Sequence, residues 1–364
     1  MSPGRVTLSA RAYLPVLSPP FGAFEGAAGD GDVNVYRRHR TDAAGDATRY
    51  TAWDDGGLTI EGVHDPVLSP DGTMIAFIGV PVSSNLGALY VVANTPGSTA
   101  TLLEDDGATW INHPMWSPDS STIVFTRGGA AGNVYGGTVE SIPAAGGAPT
   151  VLYTPGGSDL AYRPAYNFDG SRIAFVKAIT GNDELWIMDA DGSPAASVAT
   201  LASNYRFDGP MVAWSPFADR LVYDDGALGA VLRVINGNGT GSTVVNPGVT
   251  NATVCRVGNQ AWIDADTFVF VSNQGDGFLR LYAGDAGGAN EAALSLTNGS
   301  ANQFWMKQPL VYAGRIWFIE TASSSNGGRL ASFALDGSDY VEELDVNDAT
   351  LLDWFVGGTG FYYQ

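Results

Sequence analysis

The chain has 364 residues, of which 45% are hydrophobic and 15% charged, with 47 glycines and a formal charge of −20 from 18 Lys+Arg against 38 Asp+Glu. So acidic a surface repels nucleic-acid phosphates and anionic lipid, and no stretch approaches the roughly 18 apolar residues of a membrane span, so neither nucleic acid nor membrane insertion is expected. A lone cysteine, Cys255, excludes an internal disulfide and any multi-cysteine metal site.

At the N-terminus "MSPGRVTLSARAYLPVLSPP" lacks the basic start and apolar run of a secretory signal, which makes synthesis in the cytosol the expectation unless a leader precedes it. Residues 1–30 are expected to form an arm on a domain spanning 31–364, although "LPVLSPPFGAF" at 14–24 resembles the start of a repeat. "GDGDVN" at 29–34 sets Asp30, Asp32 and Asn34 at alternate positions, but Thr41 stands where a calcium loop needs an acid, so it reads as turn chemistry. "DVNVYRRHR" (32–40) and "ATRYTAWDD" (47–55) read as two short strands, and His39 among three arginines reads as a solvated edge residue.

A turn-and-strand repeat follows: "SPDGTMIAF" from Ser69, "SPDSSTIVF" from Ser117, "NFDGSRIAF" from Asn167 and "SPFADRLVY" from Ser215. Ser, Pro and Gly at the first, second and fourth places suit a type I turn. The apolar triplets after it start at residues 75, 123, 173, 221, 268, 316 and 361, which are 48, 50, 48, 47, 48 and 45 residues apart. Further strands such as "ALYVVANTPG" (88–97), "ELWIMDADGS" (184–193) and "ATLLEDDG" (100–107) give each unit four antiparallel strands. A period near 48 with little helical patterning predicts an all-β β-propeller, whose stacked blades bury each other's faces. Pairing the N-terminal strands 32–40 and 47–55 with two from "LLDWFVGGTGFYYQ" closes seven four-stranded blades and removes exposed edges. Eight blades, one partial, is the alternative.

"PVLSPDGTMIAF", "PMWSPDSSTIVF" and "AWSPFADRLVY" resemble the strand-turn-strand signature of TolB-type propeller repeats, found also in prolyl-oligopeptidase-like propellers. The likeness covers residues 64 to 225; afterwards "WIDADTFVF" and "VYAGRIWF" keep the spacing and lose the turn. It implies a docking platform for other macromolecules, although TolB-type relatives usually carry a signal sequence and a further domain.

His64 and His113 precede inner strands of neighbouring blades, and Asp65, Arg163 and Gln308 stand at comparable places, so the mouth of the ring is expected to be lined by Asp65, His113, Arg163 and Gln308. Two histidines without a third are too few for a convincing metal site, so no metal or cofactor is expected. Trp116, Tyr166, Trp214 and Trp262 recur one blade apart as core residues, whereas Phe304, Trp305 and Met306 cannot all face one side of a strand, which makes Trp305 a candidate binding residue. "GNGTGS" at 237–242 lacks the ending of a phosphate loop, and no G-x-S-x-G elbow is present. The expected function is a non-catalytic propeller docking protein partners within a larger assembly, a phage virion being one setting. A channel-mouth hydrolase or lyase, with or without a metal's assistance, and a carbohydrate binder are the rivals.

Overall fold

The computed structural model describes residues 21–27, 33–39, 48–49, 60–81, 86–95, 98–130, 136–179, 182–201, 212–225, 231–245, 255–272, 280–288, 291–293, 305–312, 314–321, 329–345 and 353–355. These residues form antiparallel sheets throughout, five of four strands and one of eight. We label the units by residue number: I (60–104), II (109–153), III (160–201), IV (212–244), V (255–293) and VI (305–345). The eight-stranded sheet is II and III joined at one rung, Gly137 opposite Ala161. A side chain at the adjacent Gly136 would put its Cβ 2.6 Å from the Ala161 carbonyl oxygen, so only glycine admits this approach.

In units I to III the expected turn joins the first strand to the second. In unit I the Gly72 N–H donates to the Ser69 carbonyl (2.8 Å) and the Ser69 N–H to the Met74 carbonyl (2.8 Å). The Ser69 hydroxyl accepts from the Met74 N–H at 2.9 Å and donates to Asp71 at 2.6 Å. Glycine's role at the fourth place is conformational: φ is 74° at Gly72 and Gly170, and Ser120 takes the same left-handed place in unit II at 61°. A type I turn followed by a left-handed residue is a hairpin connection that starts the next strand in register.

The triplets after the turns are buried at every residue: Ile75, Ala76 and Phe77, Ile123, Val124 and Phe125, and Ile173, Ala174 and Phe175 are all 0% exposed. Successive residues of a strand face opposite sides, so three buried in a row require cover on both faces of the sheet. Neighbouring units supply it, since Ile78 and Val91 of unit I share a core with Trp116 and Phe125 of unit II, and Val222 and Val234 of IV with Trp262 and Phe270 of V. This is the stacking of a β-propeller, as the repeat predicted.

Tryptophan locks the stack. The indole N–H of Trp116 donates to the Val67 carbonyl of the preceding unit (2.9 Å), that of Trp214 to Ala165 (3.0 Å) and that of Trp262 to Ala213 (2.9 Å). The expected core role of these residues holds, with Tyr166 half-buried in the same place of unit III.

The chain ends do pair, but in other proportions than expected. Phe21–Ala27, Val33–His39 and Thr48–Arg49 give three strands, and Asp353–Phe355 adds one beside Phe21–Ala27. Phe24 stands opposite both Tyr36 and Trp354. Strand pairing therefore begins within the stretch expected to be an arm. Partners hundreds of residues apart set this split, which the small residues of "FGAFEGA" give no reason to expect. The terminal triplet at 361–363 lies outside the described residues.

Replacing Trp214 with Phe keeps most of the buried ring and orphans the Ala165 carbonyl, so a loss of about 1–3 kcal/mol is expected in urea unfolding with an unchanged m-value.

Candidate functional site

The innermost strand of units I, II, III, V and VI carries a fault in its pairing with the second. Register shifts fall between His64 and Val67, Asn112 and Met115, Tyr162 and Ala165, Val257 and Trp262, and Lys307 and Leu310. A bulge re-aims the residue it contains. In units I to III that residue is Asp65, His113 and Arg163, four places before the turn, and all three are left-handed with φ of 50°, 53° and 55°. Such a backbone costs a non-glycine residue on the order of 1–2 kcal/mol, and proline follows each of them. Three adjacent units thus present an acid, an imidazole and a guanidinium at one level of the ring.

Their environment is dry. Asp65 is 2% and Arg163 7% exposed, while His113 keeps a little more of its surface open. Burial pushes the His113 imidazole down to about 4; the Asp65 carboxylate opposes that shift and the Arg163 guanidinium adds to it. The three groups therefore act on one another's charge, and His113 is neutral at physiological pH.

Thr126, 0% exposed, lies 3.1 Å from His113 Nδ1 and 3.2 Å from the Asn112 carbonyl. A hydroxyl that gives its proton to that carbonyl accepts from Nδ1–H and leaves the lone pair on Nε2. Sequence reasoning missed Thr126. A signal existed, because the residue after the triplet is Ile78, Val176, Val271 and Ile319 in units I, III, V and VI. Only units II and IV break that pattern among the described residues, with Thr126 and the fully buried Asp224.

Of the other expected site residues, His64 lies in Ile60–Leu68 opposite Ile78, and Gln308 and Trp305 lie in Trp305–Tyr312. Gln308 falls inside the register shift of unit VI, between Lys307 and Leu310, at the place of Asp65 in unit I, but the side chains of all three, and Phe304 altogether, lie outside the described residues. Among the described residues no three His, Cys, Asp or Glu side chains are grouped to hold a metal ion.

No family model matches the chain. An uncharacterised protein of Agrobacterium fabrum is 29% identical over 160 residues, 44% of this chain and 50% of that protein, so the match spans half the length of this curated relative. Among solved structures, oligogalacturonate lyase of Vibrio parahaemolyticus superposes with a TM-score of 0.61 at 10% identity, over 90% of this chain and 85% of that one. An oligogalacturonate lyase in complex with manganese gives 0.61 at 13%, over 90% and 84%. A prolyl endopeptidase gives 0.62 at 12%, over 94% of this chain and 51% of that one. At such identities the likeness is one of fold. It nonetheless corrects the expectation of a non-catalytic protein: these propellers belong to enzymes, so the lack of a nucleophile elbow is no argument against catalysis. The trio of metal ligands that manganese chemistry would ask for has no counterpart among the described residues.

The low His113 value has a consequence for stability. The unfolded chain takes up this proton near pH 6.5 and the folded one only near 4, so stability falls as pH drops through that window. His113→Asn, whose side chain tolerates a left-handed backbone, is expected to remove that part of the slope, about 3 kcal/mol once both states are protonated. Parallel urea titrations of the two proteins between pH 7 and 4 check it.

Proposed function

We propose that the protein is an enzyme of the lyase or hydrolase type that acts on a small carboxylated molecule at the mouth of its ring. The observation that carries this reading is the alignment of Asp65, His113 and Arg163 on equivalent left-handed bulges of three adjacent units. Strained residues that are buried on adjacent units and perturb one another's charge mark functional sites.

The roles follow from the chemistry. Arg163 offers a planar fork of donors to a carboxylate. A carboxylate held there has the acidity of its neighbouring C–H raised. His113 Nε2, unprotonated and fixed by Thr126, takes that proton as general base. The electron pair of the broken C–H bond forms a double bond and expels a substituent from the next carbon; the leaving oxygen takes a proton from water. Asp65 favours the imidazolium while it exists, as its effect on the His113 value indicates. The likeness of fold to oligogalacturonate lyases makes an oligogalacturonate the first substrate to try.

Incubation with oligogalacturonate, followed by ultraviolet absorbance of an unsaturated product and by thermal shift, tests the reading. The expected pattern is turnover that falls by 10²-fold or more in His113→Asn with little change in KM, and a raised KM in Arg163→Gln. Absence of both product and thermal shift across oligogalacturonates and other carboxylated sugars, or variants indistinguishable from the parent, would sink it.

A further inference from the structure

The large hydrophobic residues exposed among those described are Leu102, Val151, Phe168 and Phe217. Two of them share a particular origin. In units I and II the turn reads Ser-Pro-Asp, as in Ser69-Pro70-Asp71 and Ser117-Pro118-Asp119. Unit III replaces its proline with Phe168, and unit IV replaces its aspartate with Phe217. Each ring is set where the repeat's own rule puts a turn former or a charge, and they are 39% and 46% exposed. The two turns are tied together, since Asp219 of unit IV accepts from the Asn167 amide of unit III at 3.4 Å and pairs with Arg172. Phe168 and Phe217 are therefore carried on one rigid piece of the turn-bearing face.

The surroundings of the pair are acidic. Asp71, Asp119 and Asp169 stand exposed on consecutive turns of this face, beside Asp219 and Asp266, which each hold an arginine. Its arginines are already engaged, Arg172 by Asp219 and Arg220 by Asp266 at 2.7 Å, and the two lysines of the chain, Lys177 and Lys307, are on other segments. Hydrogen bonds from Ser117 to Asp119 and from Ser171 to Asp169 hold these carboxyls below their ordinary value, so the face stays charged into mildly acidic solution.

We propose that this face docks a basic protein segment that places an apolar side chain between Phe168 and Phe217 while its cationic residues meet the carboxylates of the flanking turns. Aromatic anchors within a ring of like charge supply, respectively, affinity and choice of partner. This site is at the opposite end of the innermost strands from their loop entries and does not depend on the reaction proposed above.

The test uses variants that restore the repeat, Phe168→Pro and Phe217→Asp, so that both turns revert to residues units I and II already fold with. The probe is a fluorescent twelve-residue peptide alternating Arg and Leu, with one control in which Glu replaces Arg and one in which Ser replaces Leu. Anisotropy titrations are expected to show tight binding of the Arg-Leu peptide only, weakened by salt, and at least about tenfold weaker with the double variant. Equal binding by parent and double variant, equal binding of a control peptide, or no binding overturns the proposal. Sedimentation that finds the parent dimeric and the double variant monomeric also overturns it, by assigning the face to a second copy. Should the double variant melt early, Phe168→Ser and Phe217→Ser singly give the same comparison.

Discussion

Everything in this molecule depends on sheets being covered on both faces. A triplet such as Ile173-Ala174-Phe175 has no solvent side, so no unit can be stable without a neighbour on either flank. The indole bonds of Trp116, Trp214 and Trp262 act within the same constraint: each ring fills the gap between two sheets, and its one polar atom must find a carbonyl there because water is excluded. Closure of the chain ends by Phe21–Ala27 and Asp353–Phe355 belongs to that logic, since an open stack would leave two apolar faces wet.

Stacking also explains why the two ends of the innermost strands have different characters. At the turns the backbone bonds are satisfied locally by Ser, Asp and Gly, which frees the exposed positions to vary, and Phe168 and Phe217 are such variations. Inside the strands the bulges break the ladder at the same level of unit after unit, and each aims one side chain where successive units converge. The fold thus builds the platform, and the residue at each bulge decides which side chain it presents there.

Part of this was legible in the residues. The turn signature, the spacing of the triplets and the recurrence of Trp follow from local rules that act within a dozen residues, and each corresponds to a feature of the structure. The proline after Asp65, His113 and Arg163 marked those positions as equivalent, and the equivalence is what placed them together. Thr126 was readable only by comparing units at the place after the triplet, where a hydroxyl interrupts a column of Ile and Val. Absence of a catalytic motif carried no information, because a site on a ring is assembled from single residues of separate units and leaves no contiguous signature.

By itself the sequence determined a turn-rich repeat of four antiparallel strands whose buried triplets force stacking, because side-chain alternation and turn geometry are short-range properties of the chain. The tertiary structure alone decided how the ends share the closing sheet, which way the bulges turn Asp65, His113 and Arg163, and the proton on His113. Those outcomes rest on contacts between strands, from the 13 positions between His113 and Thr126 to the pairing of Phe24 with Trp354 across the chain, and on the dryness that such contacts create.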